Sequence, residues 1–453
     1  MNRTIFREYD IRGIADRDLP DDVVQTIAKA FATRLSKKSL KKLAIGRDCR
    51  LSSDRIAAAL LEGLRSTGAD ITDLGVVPTP VFYYALYKLP VEGGVMITGS
   101  HNAAEYNGFK LCDGKSALYG EQIQELYELA ERGDFAVGRG TVRSYDLLPE
   151  YKKMITEKVQ LSRPVRAVVD CGNGTACVVA PDALRAIGAD VVELYCEMDG
   201  NFPNHHPDPT VEKNVEELKK RVVEEKAEVG IAYDGDADRI GVVDETGRVM
   251  WGDRLMILFA REILARKPGA TIIGEVKCSK TLYDDIEKRG GRAIMWRTGH
   301  SLIKAKLKEE HAALAGEMSG HIFFADGFFG FDDAIYASAR LLQILDQQRR
   351  PLSTQLSDVP KTVSTPEIRV DCADDVKFKI VERAQKYFSS KYKTVTVDGV
   401  RILFDDSWGL VRASNTQPAL VLRFEAPNQE RLDEIRAIVE GKLAEFEKQG
   451  SEK

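Results

Sequence analysis

Long apolar runs are absent from this chain of 453 residues. A helix that crosses a bilayer needs about 20 mostly apolar residues, and the segment that follows Met1 lacks the apolar stretch of a signal peptide. A strong surplus of one charge sign is also missing, because the net charge is −5. We therefore expect a cytoplasmic protein that contacts neither membranes nor nucleic acid.

Cysteine is scarce and scattered along the chain. The seven cysteines are an odd number, and no C-x-x-C pair occurs among them. A disulfide framework or a structural zinc site usually shows cysteines at short, paired spacings. The sequence therefore indicates neither kind of site.

A unit of strand, helix, glycine and strand recurs along the chain and dominates its organisation. Helices that end near Gly68, Gly188 and Gly290 each lead into an apolar strand, and each is preceded by another strand. This alternation predicts parallel sheets with right-handed crossovers. In such sheets ligands bind beyond the carboxyl ends of the strands, so polar loops at those ends become the candidate functional sites.

We predict an α/β fold with three related mixed α/β domains and a smaller C-terminal α+β domain around a central cleft. The pattern changes near Lys361, where strands alternate with helices predicted over 375–388 and 429–446. A length of 453 residues also exceeds that of one ordinary domain. The predicted domains are residues 1–145, 146–248, 249–360 and 361–453.

The first candidate loop is T-G-S-H-N, which follows the apolar run from Val95 to Ile97. Its glycine permits a sharp turn, so Ser100 would lie just beyond a strand, near His101 and Lys110. A serine displayed in this way is a candidate nucleophile or phosphoryl carrier. The alternative is a hairpin with a polar turn, since a second strand is predicted from Tyr106 to Cys112.

Three aspartates follow another strand in the run D-G-D-A-D-R. Asp234, Asp236 and Asp238 alternate along the loop and can converge on one hard cation, which favours Mg²⁺ or Ca²⁺ over Zn²⁺. A helix-loop-helix calcium site is excluded because its sixth position requires glycine and here holds Arg239. Mg²⁺ bound together with a phosphate oxygen fits best, and a solvated acidic turn is the alternative.

Three further segments offer groups for a phosphorylated sugar. Glu317 and Ser319, in G-E-M-S-G-H, can hold neighbouring sugar hydroxyls. Arg412 is the first residue of the run R-A-S-N-T. Its guanidinium, together with the hydroxyls and backbone N–H groups of the run, can form a phosphate cradle. The alternative is a polar hairpin loop, which would have a similar sequence. Near the N-terminus, Arg12 suits either an anion-binding loop or the start of a helix.

Taken in chain order, these loops resemble the signature loops of the α-D-phosphohexomutase family, and the likeness covers the whole chain. The G-E-M-S-G-H loop is most similar to that of the bifunctional phosphomannomutase/phosphoglucomutase branch. Phosphoglucosamine mutases usually resemble G-E-Q-S-G-H there, and phosphoglucomutase-only relatives G-E-E-S. One departure is Ala103-Ala104, where the family usually has two prolines, which predicts a less rigid loop.

The resemblance implies reversible phosphoryl transfer between C1 and C6 of a hexose phosphate, either mannose or glucose, through a phosphoserine. Mannose or glucose 1,6-bisphosphate would be the intermediate and activator, and Mg²⁺ would be the metal. The implied metal ligands are Ser100, Asp234, Asp236 and Asp238. The implied catalytic side chains are Ser100, Arg12, His101, Lys110 and Arg239. The implied substrate contacts are Tyr9, Lys277, His300, Glu317, Ser319, His321, Arg412, Ser414, Asn415 and Thr416.

Two alternative activities use the same residues. In a metal-dependent sugar-phosphate phosphatase, water would accept the phosphoryl group, whereas a phosphoglucosamine mutase would differ in its sugar alone. The C-terminal phosphate cradle favours transfer, because a second phosphate site serves a bisphosphate that must turn around. That turn requires room, so we expect the fourth domain to hinge near residues 359–361. We further expect a monomer or weak homo-oligomer.

Overall fold

The computed structural model describes residues 1–414 and 418–451, with the backbone alone described for residues 375 and 447–451. These residues form four β-sheets, arranged one after another along the chain and flanked by helices. Among the described helices, none combines the length and apolar character that crossing a membrane requires.

The first sheet is mixed. Its elements are β1 (Ile11–Ile14), α1 (Ala15–Asp18), α2 (Asp21–Ser36), β2 (Lys42–Arg47), α3 (Ser53–Arg65), β3 (Asp70–Val76), α4 (Thr79–Lys88), β4 (Gly93–Ile97), β5 (Tyr106–Asp113), β6 (Ser116–Ala117), α5 (Glu121–Arg132) and β7 (Val142–Ser144). The strand order is β1-β5-β4-β2-β3-β7, with β6 beside β5. Strands β2, β3, β4 and β7 are parallel, whereas β5 runs antiparallel to β1 and β4.

The second and third sheets are smaller. The second part of the chain contains α6 (Leu148–Lys158), β8 (Arg166–Asp170), α7 (Ala180–Ala186), β9 (Asp190–Leu194), α8 (Glu216–Glu224), β10 (Val229–Tyr233), β11 (Ile240–Asp244) and β12 (Val249–Met250). The third contains α9 (Gly252–Arg266), β13 (Thr271–Glu275), α10 (Lys280–Lys288), β14 (Arg292–Trp296), α11 (His300–Glu309), β15 (Leu314–Gly316), β16 (Ile322–Phe324) and α12 (Ala334–Gln348).

Each of these three sheets combines parallel strands with an antiparallel hairpin. In the second sheet β8, β9 and β10 are parallel and β11 reverses beside β10. In the third, β13, β14 and β15 are parallel and β16 reverses beside β15. The equivalent hairpin of the first sheet is β4-β5. Every hairpin turn therefore stands at the carboxyl end of a parallel strand, where ligands bind in such sheets.

The fourth sheet is antiparallel throughout. Its elements are β17 (Val363–Ser364), β18 (Ile368–Asp371), α13 (Asp374–Ser389), β19 (Lys393–Val395), β20 (Val400–Leu403), β21 (Trp408–Ala413), β22 (Ala419–Ala426) and α14 (Gln429–Ser451). The order is β17-β22-β21-β20-β19, with β18 also paired to β22. Apolar side chains of α13 and α14 cover this sheet and form a core separate from the others.

One large hydrophobic core joins parts of the first three sheets, and a different set of contacts attaches the fourth. Val276, Trp408 and Leu410 form a small apolar cluster between the third and fourth sheets. Beside it the buried guanidinium of Arg401 lies 3.6 Å from the centre of the Trp408 ring. Its Nη1 donates hydrogen bonds of 2.7 Å to the carbonyl oxygens of Val276 and Cys278. These hydrogen bonds and the apolar cluster hold the fourth sheet against the third.

The predicted fold class is confirmed, with three related mixed α/β units and a smaller α+β unit. The predicted helices over 375–388 and 429–446 correspond to Asp374–Ser389 and Gln429–Ser451. Parallel pairing is also confirmed, but each of the first three sheets adds an antiparallel strand that the strand-helix alternation does not reveal. The segment between β4 and β5 that carries Ser100, called the serine loop below, is consequently both a strand end and the polar turn of a hairpin.

Asp333 caps helix α12 from a fully buried position. Its carboxylate accepts the backbone N–H of Tyr336 at 2.8 Å and the hydroxyl of Tyr151 at 2.8 Å. Burial raises the pKa of Asp333 to about 7. The unfolded chain therefore releases this proton at lower pH than the folded chain does, and the folded state loses stability as the pH rises toward 7.

We expect Asp333→Asn to flatten this pH dependence. Asparagine keeps the cap and cannot ionise. Between pH 5 and pH 8.5 the free energy of unfolding of the wild type should therefore fall by roughly 2–3 kcal/mol more than that of the variant. Urea unfolding at both pH values measures the difference. Asp346→Asn is the control, because hydrogen bonds from Ser162 hold the pKa of Asp346 below its ordinary value against the effect of burial. Equal slopes for wild type and Asp333→Asn would contradict the assignment.

Candidate active site

Ser100 occupies the turn of the β4-β5 hairpin in a constrained conformation. Its φ is +49°, in the left-handed region, and 3% of the residue is exposed. The backbone N–H of Ser100 donates to Thr98 Oγ1 at 2.7 Å. The hydroxyl donates to Asp234 Oδ2 at 2.9 Å and lies 3.2 Å from His101 Nδ1. A non-glycine residue held at positive φ is often a functional position, and here it carries the predicted nucleophile.

The serine loop is held from beneath by Arg50. Its guanidinium donates to four backbone carbonyl oxygens of the loop, at distances from 2.5 to 3.0 Å, belonging to Ser100, Asn102, Ala103 and Tyr106. Asp48 fixes the same guanidinium through Nε at 3.1 Å. A Cβ on Gly99 would lie 2.5 Å from this guanidinium, so the close approach requires glycine. These hydrogen bonds include the carbonyl oxygen of Ala103, and the expectation of a less rigid loop at Ala103-Ala104 stays a prediction.

The three aspartates converge beside Ser100 in the turn of the β10-β11 hairpin. Asp234, Asp236 and Asp238 are fully buried, and one carboxylate oxygen of each lies within 4.8 Å of the others. The ammonium of Lys110 donates to Asp236 Oδ2 at 2.7 Å and also to Asp238 Oδ2. Gly235 allows the two turns to touch, since a Cβ there would lie 2.5 Å from the carbonyl oxygen of Ser100.

The charges in this cluster do not balance. Three carboxylates face two cations, the ammonium of Lys110 and the guanidinium of Arg239, whose Nε lies 4.0 Å from Asp234 Oδ2. Burial and the two neighbouring carboxylates raise the pKa of Asp234 well above its ordinary value. Burial opposes ionisation of Asp236 too, but the charge of Lys110 lowers its pKa. Asp236 Oδ1 and Asp238 Oδ1 are buried and have no hydrogen-bond partner among the described residues. Oxygen donors, spare acceptors and excess negative charge together fit a hard divalent cation.

Two more predicted side chains border the serine loop. Arg12 Nη1 donates to Asn102 Oδ1 at 3.0 Å, and Arg12 also pairs with Asp10. Arg12 lies in β1, and the pairing of β1 with β5 places Arg12 beside the loop. Burial lowers the pKa of His101 well below its ordinary value, and nearby Arg239 and Arg12 add to this effect.

The second and third hairpin turns pair directly. Arg239 and His321 form an isolated antiparallel bridge, and Arg239 Nε donates to His321 Nε2 at 2.9 Å. On its other side His321 Nδ1 lies 3.1 Å from Asp332 Oδ2, and Asp332 Oδ1 accepts Lys304 Nζ at 2.9 Å. His300 stacks on His321 with ring centres 5.6 Å apart. This links the predicted residues of the second and third units in one buried polar network.

Glu317 lies in the turn of the β15-β16 hairpin. Its Oε1 accepts the backbone N–H of Gly299 at 2.6 Å, and its Oε2 accepts the hydroxyl of Ser319 at 2.9 Å. Tyr9 reaches the same segment, because its hydroxyl donates to the carbonyl oxygen of Thr298 at 2.8 Å. A residue from the first unit thus contacts the turn between β14 and α11.

The fourth unit contacts this segment through Asp398, which also holds Arg412. Arg412 Nε donates at 3.1 Å to Asp398 Oδ2, which also accepts the backbone N–H of Thr298 at 3.0 Å. Arg412 and Ser414 are both buried, with 5% and 6% of each residue exposed. Lys277 pairs with Glu367 at 3.1 Å, and the charge of Lys277 lowers the pKa of Glu367 to about 2. Asn415 and Thr416 lie outside the described residues.

Comparison with known proteins agrees with this arrangement unit by unit. Four models of phosphoglucomutase/phosphomannomutase domains match the chain: α/β/α domain I over residues 3–137, domain II over 149–247, domain III over 251–363 and the C-terminal domain over 367–442. The chain belongs to the phosphoglucomutase/phosphomannomutase family. The resemblance read from the sequence is therefore confirmed.

Relatives in this family match over nearly their full length. A phosphomannomutase/phosphoglucomutase of Pseudomonas aeruginosa is 47% identical over 441 residues, covering 97% of this chain and 95% of that protein. A phosphoglucomutase of Neisseria gonorrhoeae is 42% identical and covers 97% of both chains. The crystal structure of a phosphoglucomutase/phosphomannomutase family protein from Burkholderia thailandensis has a TM-score of 0.94 at 41% identity, covering 99% of this chain and 98% of that one.

The described residues predicted for the site fall into two groups at neighbouring hairpin turns. The first group forms one polar network, in which residues are in contact directly or through other residues. Its members are Ser100, His101, Lys110, Arg12, Asp234, Asp236, Asp238, Arg239, His300 and His321. The second group lies around the turn between β14 and α11 (residues 297–299) and in the adjoining fourth unit. Its members are Tyr9, Glu317, Ser319, Lys277, Arg412 and Ser414. Their roles as ligands and catalysts stay predictions.

Several polar residues of the site were not predicted. Arg50 and Asp48 follow β2, and Glu275 ends β13, where it accepts the backbone N–H of Lys277 and the hydroxyl of Thr298 at 2.8 Å. Asp332 and Asp398 complete the networks around His321 and Arg412. Ser100 was predicted because it follows the end of a strand. The same rule, applied to every strand, would also have predicted Arg50, Asp48 and Glu275.

Proposed function

We propose that this protein is a phosphomannomutase/phosphoglucomutase, which moves a phosphoryl group reversibly between C1 and C6 of a mannose or glucose phosphate. The observation that carries the proposal is the 2.9 Å hydrogen bond from Ser100 Oγ to Asp234 Oδ2, within a buried cluster of three carboxylates. Family membership and the activities named for its relatives support it.

Ser100 is the phosphoryl carrier in this proposal. In the first half-reaction the P–O bond to Ser100 Oγ breaks, and a new P–O bond forms to the free sugar hydroxyl. The product is a 1,6-bisphosphate, which turns around and returns its other phosphoryl group to Ser100. Arg12 and Lys110 supply positive charge beside the serine, where a phosphoryl group carries negative charge. The left-handed φ of Ser100 directs its hydroxyl toward the aspartates.

Asp234, Asp236, Asp238 and Ser100 are the residues that would hold Mg²⁺. Their oxygen donors and the partnerless oxygens of Asp236 and Asp238 fit that ion. When bound, Mg²⁺ supplies positive charge that stabilises the negative charge of a phosphoryl group. Lys110 sits against two of the carboxylates and keeps part of their charge neutralised.

His321 is proposed to exchange the proton of the reacting sugar hydroxyl. Arg239 Nε donates to His321 Nε2, and a donor of this kind requires an unprotonated ring nitrogen. The proton therefore belongs on Nδ1, facing Asp332 at 3.1 Å. Nε2 becomes the base for the sugar hydroxyl when that hydroxyl replaces Arg239 as its hydrogen-bond donor. His101, 3.2 Å from the serine hydroxyl, is the alternative.

The sugar and its resident phosphate are assigned to the remaining predicted residues. Glu317 and Ser319 are proposed to accept and donate hydrogen bonds at sugar hydroxyls, and Tyr9, Lys277 and His300 to border the cleft. Arg412, with Ser414, Asn415 and Thr416, is proposed to bind the phosphate that does not react. A second phosphate site suits a bisphosphate, whereas a phosphatase has no need of one.

Incubation with glucose 1-phosphate tests the proposal against its alternatives. A mutase yields glucose 6-phosphate, a phosphatase yields inorganic phosphate, and a binding protein yields neither. Parallel assays with mannose 1-phosphate and glucosamine 1-phosphate separate the proposed specificity from that of a phosphoglucosamine mutase. Faster turnover of the glucosamine ester would contradict the sugar assignment, and release of phosphate as the main product would contradict the mutase itself.

We expect Arg412→Ala to weaken binding of substrate and bisphosphate together and to release more bisphosphate into solution. Loss of a hydrogen bond to a charged group costs roughly 1.5–3 kcal/mol, or about 10- to 150-fold in affinity. The released intermediate can be trapped during turnover of labelled glucose 1-phosphate. Arg412→Lys is the matched control, since it keeps the charge but loses the planar pair of donors. Normal binding and no additional leakage in Arg412→Ala would show that other residues hold this phosphate.

Four further predictions stay proposals. The domain boundaries are proposed to lie near residues 145, 248 and 360. The protein is proposed to be cytoplasmic, and to be a monomer or a weak homo-oligomer. A hinge near residues 359–361 is proposed to let the fourth unit move. The buried contacts of Arg401 with Val276 and Cys278 limit that motion, because they hold the fourth unit against the third.

A further inference from the structure

A group of cysteines lies outside the residues assigned to phosphoryl transfer. Cys171 follows β8 directly, Cys196 lies just beyond β9, and Cys177 stands in the segment between these strands. The sulfur atoms of Cys171 and Cys196 are 3.3 Å apart. All seven cysteines are free thiols. Nothing in the proposed transfer reaction uses these sulfurs.

The backbone holds Cys171 and Cys196 together. Strands β8 and β9 are parallel neighbours, with Asp170 opposite Leu194. Beyond the strands the Cys171 N–H donates to the Leu194 carbonyl oxygen at 3.1 Å, and Asn173 N–H donates to the Tyr195 carbonyl oxygen at 2.9 Å. Neighbouring strands lie about 4.8 Å apart. Continuing the register places Cys171 opposite Tyr195, one residue before Cys196, which is within the reach of a disulfide. The short sulfur distance therefore follows from strand pairing as well as from side-chain rotamers.

The two cysteine residues differ in their exposure to solvent. Cys196 is partly exposed, whereas Cys171 is fully buried. Burial raises the pKa of Cys171 well above its ordinary value, and a buried thiol of this kind is a poor first target for an oxidant. Cys196 is thus the residue that a small oxidant reaches first, with Cys171 in position to react next.

We propose that Cys196 and Cys171 form a reversible disulfide when the protein meets a hydroperoxide. The peroxide O–O bond breaks as the Cys196 sulfur gains an oxygen, giving a sulfenic acid and an alcohol or water. The sulfur of Cys171 then attacks that of Cys196, the S–S bond forms, and the oxygen leaves as water. Two thiols together lose two electrons and two protons, and a dithiol reductant reverses the change.

Treatment of the native protein with hydrogen peroxide, followed by alkylation and peptide mapping, tests the proposal. We expect a cross-linked peptide pair containing Cys171 and Cys196, a mass lower by two hydrogen atoms, and reversal by dithiothreitol. The readout is chemical, so it is independent of the proposed phosphoryl transfer. Absence of this cross-link, or a cross-link that joins Cys171 to Cys177 in its place, would overturn the proposal.

Two variants test the order of events. Cys177→Ser should still form the cross-link, because Cys177 belongs to the same group without being part of the pair. Cys171→Ser should accumulate sulfenic acid at Cys196, which a dimedone adduct detects, since no partner thiol remains. In Cys196→Ser, Cys171 should stay reduced under the same treatment. Oxidation of Cys171 in that variant, or loss of the cross-link in Cys177→Ser, would show that Cys196 is not the entry point.

Discussion

Ser100→Ala should lower turnover of glucose 1-phosphate by about a thousandfold or more, because it removes the atom that carries the phosphoryl group. The same variant should lack the phosphate adduct that intact-mass measurement is expected to find on the purified wild type. The hydroxyl makes few structural contacts besides the bond to Asp234 and the approach to His101. The fold should therefore survive, and an unchanged melting temperature would separate lost chemistry from lost structure.

Ser319→Ala is the matched control for this experiment. Its hydroxyl donates to Glu317 Oε2 in a different hairpin turn, so the variant should keep the phosphate adduct and lose mainly affinity for the sugar. Substrate phosphate could replace the missing group of Ser100 at a low rate, so a small residual activity is compatible with the assignment. A phosphate adduct that persists in Ser100→Ala would assign the carrier to another residue.

Asp236→Asn should produce the second large effect, a fall in kcat of about a thousandfold, because it weakens the oxygen cluster proposed for Mg²⁺. Chelation of divalent ions from the wild type should abolish turnover as well, and added Mg²⁺ should restore it. The wild type thus serves as its own control, since chelation changes no side chain. Turnover that persists after exhaustive chelation would contradict the metal assignment.

The same substitution is also expected to cost stability, for a reason visible only in the structure. Asp236 Oδ2 accepts Lys110 Nζ at 2.7 Å and the hydroxyls of Thr79 and Thr98 at 2.6 and 3.1 Å. From the sequence alone one would expect an isosteric change to leave the fold intact. Weakening a buried charged hydrogen bond costs roughly 1–3 kcal/mol, so activity must be compared at a temperature well below unfolding of the variant.

The sequence predicts much of this site because its chemistry is local in the chain. Ser100, the aspartates from Asp234 to Asp238, and Glu317 each follow an apolar strand, and strand ends of parallel sheets meet ligands. The structure adds the reason why these three loops can meet. Each forms the turn of an antiparallel hairpin that closes a parallel sheet, and Arg239 and His321 pair across two of these turns.

The sequence does not predict partners that are distant in the chain. Asp398 accepts hydrogen bonds from Arg412 and from the backbone of Thr298, so it depends on how the fourth unit packs against the third. Asp332 faces His321 from the start of a helix and gives no local signal of its own. Residues of this kind can be assigned to the site only when the packing of the domains is known. The sequence around each of them does not indicate which distant charge it will pair with.

Arg50 gives the serine loop a shape that its own residues do not encode. The four carbonyl oxygens that it holds belong to residues some fifty positions later in the chain. A loop transplanted from this protein into a scaffold without an arginine and an aspartate at these positions would therefore lose its support. The unit to exchange when engineering this family is accordingly the pair of segments together, rather than the loop that bears the serine.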